Sequence, residues 1–492
     1  VRADKALLLA WGLILVAAVG WPFLLPGEYL WRDMALLHDP ALTPGALGSG
    51  ALPARNVPQD ALLALAGGPW IARVLILGAA GCAAATAALW AASPWTAAGA
   101  MACAVANPFV IERLLQGQWS LAIAAWLLPV IAYCGLRGHE RSAWLAMCVA
   151  SITPTGAVFA VLTALFCART RVGLAGLVLW LPWAIPGIMQ AQTGSVTGSA
   201  RTAVEAFSPH AEHLVGTAGA LIGLGGIWNS QAVPDSRTAG FALAGLGVAA
   251  LAVLGAFRLV RREAQRLGAL ALMGMGAALA LWLCPGVAVW LVENVPGAGL
   301  VRDSQKLVML AIPLYVAGLG ALPRGFAPLA LACTLLQNVD APRALGVLAP
   351  TDTGVDRALV AEIDDRTALF VDRPYLVEVT AADGTRGVAI DPYSKVTAQL
   401  SSGQLSVDGD VVDQAAPAYL AALAAWDERD MAQLEKLGVG VVVLDGRIVA
   451  STPAPPPALP WAPMAGWLIS PLLALVLRGA PRSACPLTPK KR

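Results

Sequence analysis

The sequence predicts a polytopic α-helical membrane protein with about ten or eleven transmembrane helices, a re-entrant pair, and a small α/β extracytoplasmic domain near the C-terminus. Composition is the first reason. Of 492 residues, 58% are hydrophobic and 13% charged, about half the roughly 25% charge of a soluble globular protein. Such a chain has too little polar surface to cover itself in water. The second reason is that several apolar runs reach the ~20 residues that a helix needs to cross a bilayer. The third is a composition shift: residues 338–460 read as a soluble segment, acidic and poor in long apolar runs.

Helix 1 runs from about Ala6 to Leu25, preceded by Arg2 and Lys5, which puts its N-terminus in the cytoplasm. Trp21, Pro22 and Phe23 follow the run in place of a small-residue cleavage site, so it reads as an uncleaved helix. A polar loop, Pro26 to Trp70, holds a short helical stretch near Gln59 to Leu65. Helix 2 covers about Ile71 to Ala92, and helix 3 runs from Trp95 to Asn107-Pro108, where a polar motif emerges outside. Helix 4, Ser120 to Leu136, ends at Arg137, His139 and Arg141. The stretch Ala143 to Ala168 is broken at Thr153-Pro154-Thr155-Gly156 into pieces too short to span. With basic residues at both ends it reads as the re-entrant pair.

Helix 5 (Val172 to Gln190) leads to an outer loop from Ala191 to Thr238, and helix 6 returns to Arg258, Arg261, Arg262 and Arg266. Helix 7 exits near Leu283, helix 8 is Leu307 to Leu322, and helix 9 (Phe326 to Leu336) is short. The soluble segment closes with a helix, Pro417 to Leu437, a strand, Gly440 to Leu444, and a turn at Asp445-Gly446. Proline-rich residues Pro453 to Pro460 form a stiff linker. A last helix, Trp461 to Leu477, precedes Arg478, Arg482 and Lys490-Lys491-Arg492. The expected division is therefore 1–337, a transmembrane domain; 338–460, an extracytoplasmic α/β domain with its linker; and 461–492, the final helix and a basic cytoplasmic tail. Each basic cluster between spans falls on the cytoplasmic side.

The net charge of +2 is uninformative. The eight cysteines lie in or beside apolar runs or in the tail, with no CxxC or Cys/His cluster, which argues against a disulfide framework or zinc site. No P-loop or GxSxG is present. The acidic soluble segment is the opposite of what nucleic acid requires, so no nucleic-acid partner is expected.

Ionisable residues avoid the helix centres and gather at the outer face. The first loop carries Glu28, Arg32, Asp33, Asp39, Arg55 and Asp60, with Arg55 in an ordinary loop. The motif after helix 3 supplies Glu112, Arg113, Gln116 and Gln118, with Glu112 and Gln116 on one helix face. The second outer loop holds His210, Glu212, His213, Trp228 and Asn229, and the third Arg302, Asp303 and Lys306. His210, Glu212 and His213 resemble a metal cluster, but solvated loop residues are the commoner reading, and no metal site is expected. An acid just after helix 1, with cations at other helix mouths, suits a lipid-phosphate substrate. Arg113, Arg302 and Lys306 would bind the phosphate, and a carboxylate would serve as base for an acceptor hydroxyl. Arg32, Glu112, Gln116, Gln118, His210, Trp228, Asn229 and Asp303 are the expected substrate contacts.

The stretches PGEYLWRDM, NPFVIERLLQGQWS, SITPTGA, LGGIWNSQAVP and VRDSQKL carry a resemblance. The chain resembles the GT-C membrane glycosyltransferases, and more narrowly an actinobacterial group of multi-pass envelope proteins distantly similar to cell-wall arabinofuranosyltransferases. That resemblance implies a GT-C-like fold and transfer of a sugar, such as arabinofuranose or mannose, from a polyprenyl-phosphate donor to a cell-envelope glycan or glycolipid outside the membrane. It makes the first-loop acid the catalytic base, Asp33 or Asp39, with Asp33 preferred because it lies close to helix 1 and follows Arg32. The family often shows two adjacent acids, whereas these lie further apart. A one-phosphate donor makes a metal cofactor non-obligatory, and the outer domain would hold the acceptor. Expected partners are membrane lipid, the lipid-linked sugar, the glycan acceptor and a membrane-protein partner. The competing readings are a non-catalytic membrane scaffold that holds a glycolipid or an assembly enzyme, and a transporter. The transporter lacks the internal repeat and midplane polar residues that such proteins show.

Overall fold

A computed structural model of the chain describes residues 2–50, 52–192, 199–295, 297–407 and 409–477, without the side chains of 2, 3 and 190–192. Among these residues, seven helices are long and apolar enough to cross a membrane by length and composition. They are Asp4–Leu24, Trp70–Trp90, Pro94–Leu115, Trp119–Arg137, Thr170–Met189, Arg261–Leu283 and Ser304–Ala321. The protein is thus helical and membrane-type, but fewer segments reach spanning length than the ten or eleven expected. Pro154–Cys167 and Leu243–Ala256 have 14 residues each, which extend only about 21 Å. Ala462–Leu475 is also short, and Ala327–Leu336 has 10 residues. Proline and glycine account for these interruptions: Pro154 and Pro285 each begin a new helix, and Gly240 leaves helical geometry at φ 100°. The basic tail from Arg478 onward, with Arg482, Lys490, Lys491 and Arg492, lies outside the described residues.

The broken stretch consists of two helices, Glu140–Ala150 and Pro154–Cys167. Glu140, at the start of the first, pairs with Arg169 (3.3 Å) and Arg171 (2.6 Å), just beyond the second. One carboxylate thereby joins both ends of the unit. The helix Pro94–Ala106 does not finish at the membrane surface. Asn107 caps the next helix, accepting from Val110 N at 3.2 Å, and Pro108–Leu115 continues it inside the protein. Glu112 and Arg113 are fully buried there, in the last turn of the apolar segment Pro94–Leu115 and not at its centre.

The first loop, expected as a polar loop, forms a hairpin. Strands β1 (Tyr29–Trp31) and β2 (Met34–Leu36) pair antiparallel around Arg32 and Asp33, and all six strand residues are buried. Arg32 takes the turn with φ 50°.

Residues 338–460 carry the other strands. β3 (Ala368–Phe370) lies parallel to β8 (Val441–Leu444), which pairs antiparallel with β9 (Arg447–Ser451). Two hairpins stand apart from that sheet: β4 (Leu376–Thr380) with β5 (Arg386–Ile390), and β6 (Leu405–Val407) with β7 (Asp410–Asp413). The helix expected over Pro417–Leu437 is two, Pro417–Asp427 and Met431–Lys436. Arg429 breaks it at φ 58°, and Asp430 caps the second by accepting from Gln433 N. Leu369, Trp426, Leu434 and Val442 form a core between these helices and the sheet.

The first-loop hairpin joins the two parts of the chain. Arg32 N donates to Val388 O and Ile390 N to Arg32 O, both at 2.9 Å, so the tip extends onto β5. On its other side, Trp31 Nε1 donates to Leu115 O (3.0 Å) and Asp33 N to Gln116 O (3.2 Å). This contact needs Gly117. Its φ is 82°, and a Cβ there would lie 2.5 Å from Met34 N and Trp31 O. A Gly117→Ala variant is expected to lose about 1–2 kcal/mol from the left-handed backbone alone, and more from the clash. A lowered melting temperature in detergent would show it; an unchanged one would mean the hairpin moves freely.

Candidate functional site

Asp33 sits exposed at the hairpin tip. Its Oδ2 accepts from Gln118 Nε2 at 2.9 Å and lies 3.5 Å from Gln116 Nε2. Neither partner is charged, and Asp33 makes no ion pair among the described residues. Gln118 Oε1 in turn accepts from Arg113 Nη1 (2.9 Å), and Gln116 Oε1 from Asn229 Nδ2 (2.7 Å). A hydrogen-bonded chain therefore runs from the exposed carboxylate to a buried arginine.

Arg113 holds Asp303 in a bidentate pair at 2.7 and 2.9 Å, and also donates to Gln305. Lys306 Nζ lies 3.4 Å from the same Asp303 carboxylate. Burial pushes the Asp303 carboxyl up, but Arg113 and Lys306 outweigh it and hold it below the usual carboxylate range. Two cations on one carboxylate leave this cluster with net positive charge.

The next residue on the helix, Glu112, belongs to a second buried cluster. Arg237 lies between Glu112 (3.5 Å) and Glu212 (2.6 Å), and Arg237 and Glu112 are fully buried. Ile227 N donates to Glu112 Oε2 (3.0 Å) and Gly226 N to Glu212 Oε1 (2.8 Å). Gly225 makes the room: a Cβ there would lie 2.6 Å from Glu212 and 2.7 Å from Glu112, and would strike Arg237. Gln305 Nε2 donates to Gly225 O at 3.2 Å and links the clusters.

A third cluster ties the mouth to 338–460. Asp413, at the end of β7, pairs with Arg302 and Arg55, each at 3.0 Å. The Arg302 guanidinium lies 4.3 Å from the Phe207 ring centroid, and Phe207 meets Trp228 edge-on at 4.8 Å. Burial raises the Asp413 carboxyl, but Arg55 and Arg302 lower it further. Burial and the like charge of Arg55 both lower Arg302. Tyr375 is held above the usual phenol range by burial. Arg55 and Lys395 pull it down, and the Asp33 and Asp413 carboxylates push it up.

The structure thus brings together Asp33, Gln116, Gln118, Asn229, Arg113, Asp303 and Lys306. Arg302 and Trp228 join through Asp413 and Phe207. Arg32 meets the network at its edge, its Nη2 donating to Gln231 Oε1 at 3.2 Å while Gln231 N donates to Asn229 Oδ1 at 3.1 Å, and Glu112 is committed to Arg237. Asp39 is exposed in the left-handed region (φ 53°) and takes no part in the network. The His210 side chain is exposed and also outside it. Arg237, Tyr375 and Asp413 lie outside the residues expected from the sequence, Gln305 is expected only as part of the polar run 302–306, and Arg55 only as ordinary loop. Each lies in a short polar stretch of its own, and nothing local in those stretches records which distant charge it meets. Among the described residues, no group of three or more His, Cys, Asp or Glu is placed to hold a metal ion.

No family model and no curated protein matches the chain. Among solved structures it is similar to the cryo-EM structure of the arabinofuranosyltransferase AftD from Mycobacteria, at 16% identity and a TM-score of 0.48. The similarity covers 90% of this chain and 35% of that one, so the chain spans about a third of the length of that protein. A likeness of this size carries no argument about activity.

Proposed function

We propose that the protein is a GT-C-type glycosyltransferase that moves a sugar, arabinofuranose or mannose, from a polyprenyl-phosphate donor to an envelope glycan or glycolipid. In this reading both termini are cytoplasmic, and the hairpin tip with 338–460 faces the extracytoplasmic side. The observation that carries it is Asp33: an exposed carboxylate with amide partners only, linked through Gln118 to a cluster of net positive charge. The acceptor hydroxyl attacks the anomeric carbon and passes its proton to Asp33. The bond from that carbon to the phosphate oxygen breaks, and polyprenyl phosphate leaves with the electron pair. Arg302 and Lys306 meet the negative charge that develops on the leaving phosphate. Arg113 acts one step behind, because its guanidinium already holds Asp303 and aligns Gln118.

A specific observation favours the scaffold reading as the alternative. Arg113 and Lys306 are paired with Asp303, and Arg302 with Asp413, as in a closed mouth. One assay separates the two. With a polyprenyl-phosphoryl sugar and purified protein, Asp33→Asn is expected to cut turnover at least about a hundredfold, the usual share of a general base, at an unchanged melting temperature. Full activity in both Asp33→Ala and Asp39→Ala would reject Asp33 as the base. A wild-type protein with no turnover that copurifies with a membrane enzyme would favour the scaffold.

A further inference from the structure

Arg55 and Arg302 come from loops far apart in the chain, yet both guanidinium groups meet one carboxylate. Asp413 Oδ2 lies 3.0 Å from Arg55 Nη2, and Oδ1 lies 3.0 Å from Arg302 Nη1. Two cations so close repel each other, and an anion between them is what makes the arrangement stable. The anion present is a side chain of the chain itself. It sits at the end of β7 in a two-stranded hairpin that pairs with no other strand among the described residues, and whose register shifts at Leu405/Ser406. A lone hairpin of this kind is marginally stable by itself, so what holds Asp413 in place, besides its two arginines, is one small apolar cluster in which Val412, Leu405 and Val407 pack against Ala203, Phe207 and Trp228.

The neighbourhood is that of the donor site. Arg302 stands four residues before Lys306, and Lys306 pairs with Asp303, the carboxylate that Arg113 also holds. A carboxylate offers an arginine two oxygens that share a negative charge, and so do the phosphodiester of a polyprenyl-phosphoryl sugar and the polyprenyl monophosphate left after transfer.

The geometry points to a two-arginine anion site, Arg55 with Arg302, that Asp413 fills in this structure and the donor's phosphate fills on binding. This rests on the reading of Arg302 as a phosphate ligand given above. It adds Arg55 as a ligand and makes Asp413 an intramolecular competitor. Binding the lipid phosphate releases Asp413 and with it the β6–β7 hairpin, so the mouth seen closed here opens when the donor arrives. Apparent affinity is then the intrinsic affinity reduced by the fraction of molecules in which Asp413 has let go.

Full-chain protein in nanodiscs is titrated with decaprenyl monophosphate, with decaprenol as the uncharged control. Asp413→Asn is expected to tighten phosphate binding by about tenfold, as removal of a competing closed state does. Asp413→Glu keeps wild-type affinity, Arg55→Gln weakens binding, and decaprenol binding does not change. Unchanged or weaker binding by a normally melting Asp413→Asn protein, with Arg302→Gln still weakening it, would make Asp413 a fixed strut and end this inference alone. If Arg302→Gln and Lys306→Gln both bind as wild type, the donor-site reading fails and this inference with it. The wild-type protein gives a check that needs no variant. Decaprenyl monophosphate should speed hydrogen exchange at the amides of 405–407 and 410–413, and exchange that is unchanged or slowed overturns release of the hairpin.

Discussion

Replacing Arg237 with methionine is expected to leave little folded protein. Arg237 is the cation between Glu112 and Glu212, and all three are buried. Removing one partner of a buried ion pair costs about 3–5 kcal/mol, because the remaining charge has lost its compensation. Here two carboxylates would be left facing each other, so the loss should lie at or above the top of that range. That is comparable with the roughly 5–15 kcal/mol that holds a typical protein folded. The measurement is the monodisperse fraction and melting temperature of the detergent-solubilised variant. Adding Glu112→Gln and Glu212→Gln to Arg237→Met should restore part of the stability, since neutral amides need no cation. A single variant that melts with wild type would mean the cluster is hydrated and carries little energy.

An Asp303→Asn variant should show the second-largest loss, with a distinct dependence on pH. Asp303 is the one carboxylate shared by Arg113 and Lys306, and Arg113 is fully buried. Its loss strands the arginine, at about 3–5 kcal/mol by the same argument. Because the folded-state pKa is depressed, the stabilisation is present above the unfolded-state value of about 3.9 and is lost as pH falls through the lower folded value. Thermal melts of both proteins across pH should therefore differ by a constant amount from neutrality down to about pH 4 and converge only below it. Convergence near pH 6 would mean that the pair is not what Asp303 contributes. Turnover should fall with stability, because Arg113 also aligns Gln118 and through it Asp33.

Local features were legible because the physics behind them is local. In lipid a backbone satisfies its own polar groups by forming a helix, so a long apolar run such as Trp70–Trp90 is enough to identify one. The break at Thr153-Pro154 and the strand at Val441–Leu444 were visible for the same reason. Span length was harder to read. Apolar composition at Leu243–Ala256 and Ala462–Leu475 continues into a helix too short to cross by itself, since hydropathy records apolar character and not where a helix ends. Asp33 was legible as a first-loop acid, but its hairpin was not. The strands around it are buried on every residue, so they lack the polar alternation that marks a surface strand.

The sequence by itself determined that this chain has the apolar helices of a membrane protein, where most of its helices begin, and that acids and cations collect in the segments between them. Tertiary structure alone decided which charge meets which. Arg55 meets Asp413 across 358 residues, Arg113 meets Asp303 across 190, and Glu112 leaves the surface for Arg237. A helix needs only its own residues to satisfy its backbone. A buried charge needs a partner brought by packing, and nothing in its own segment records which partner that will be.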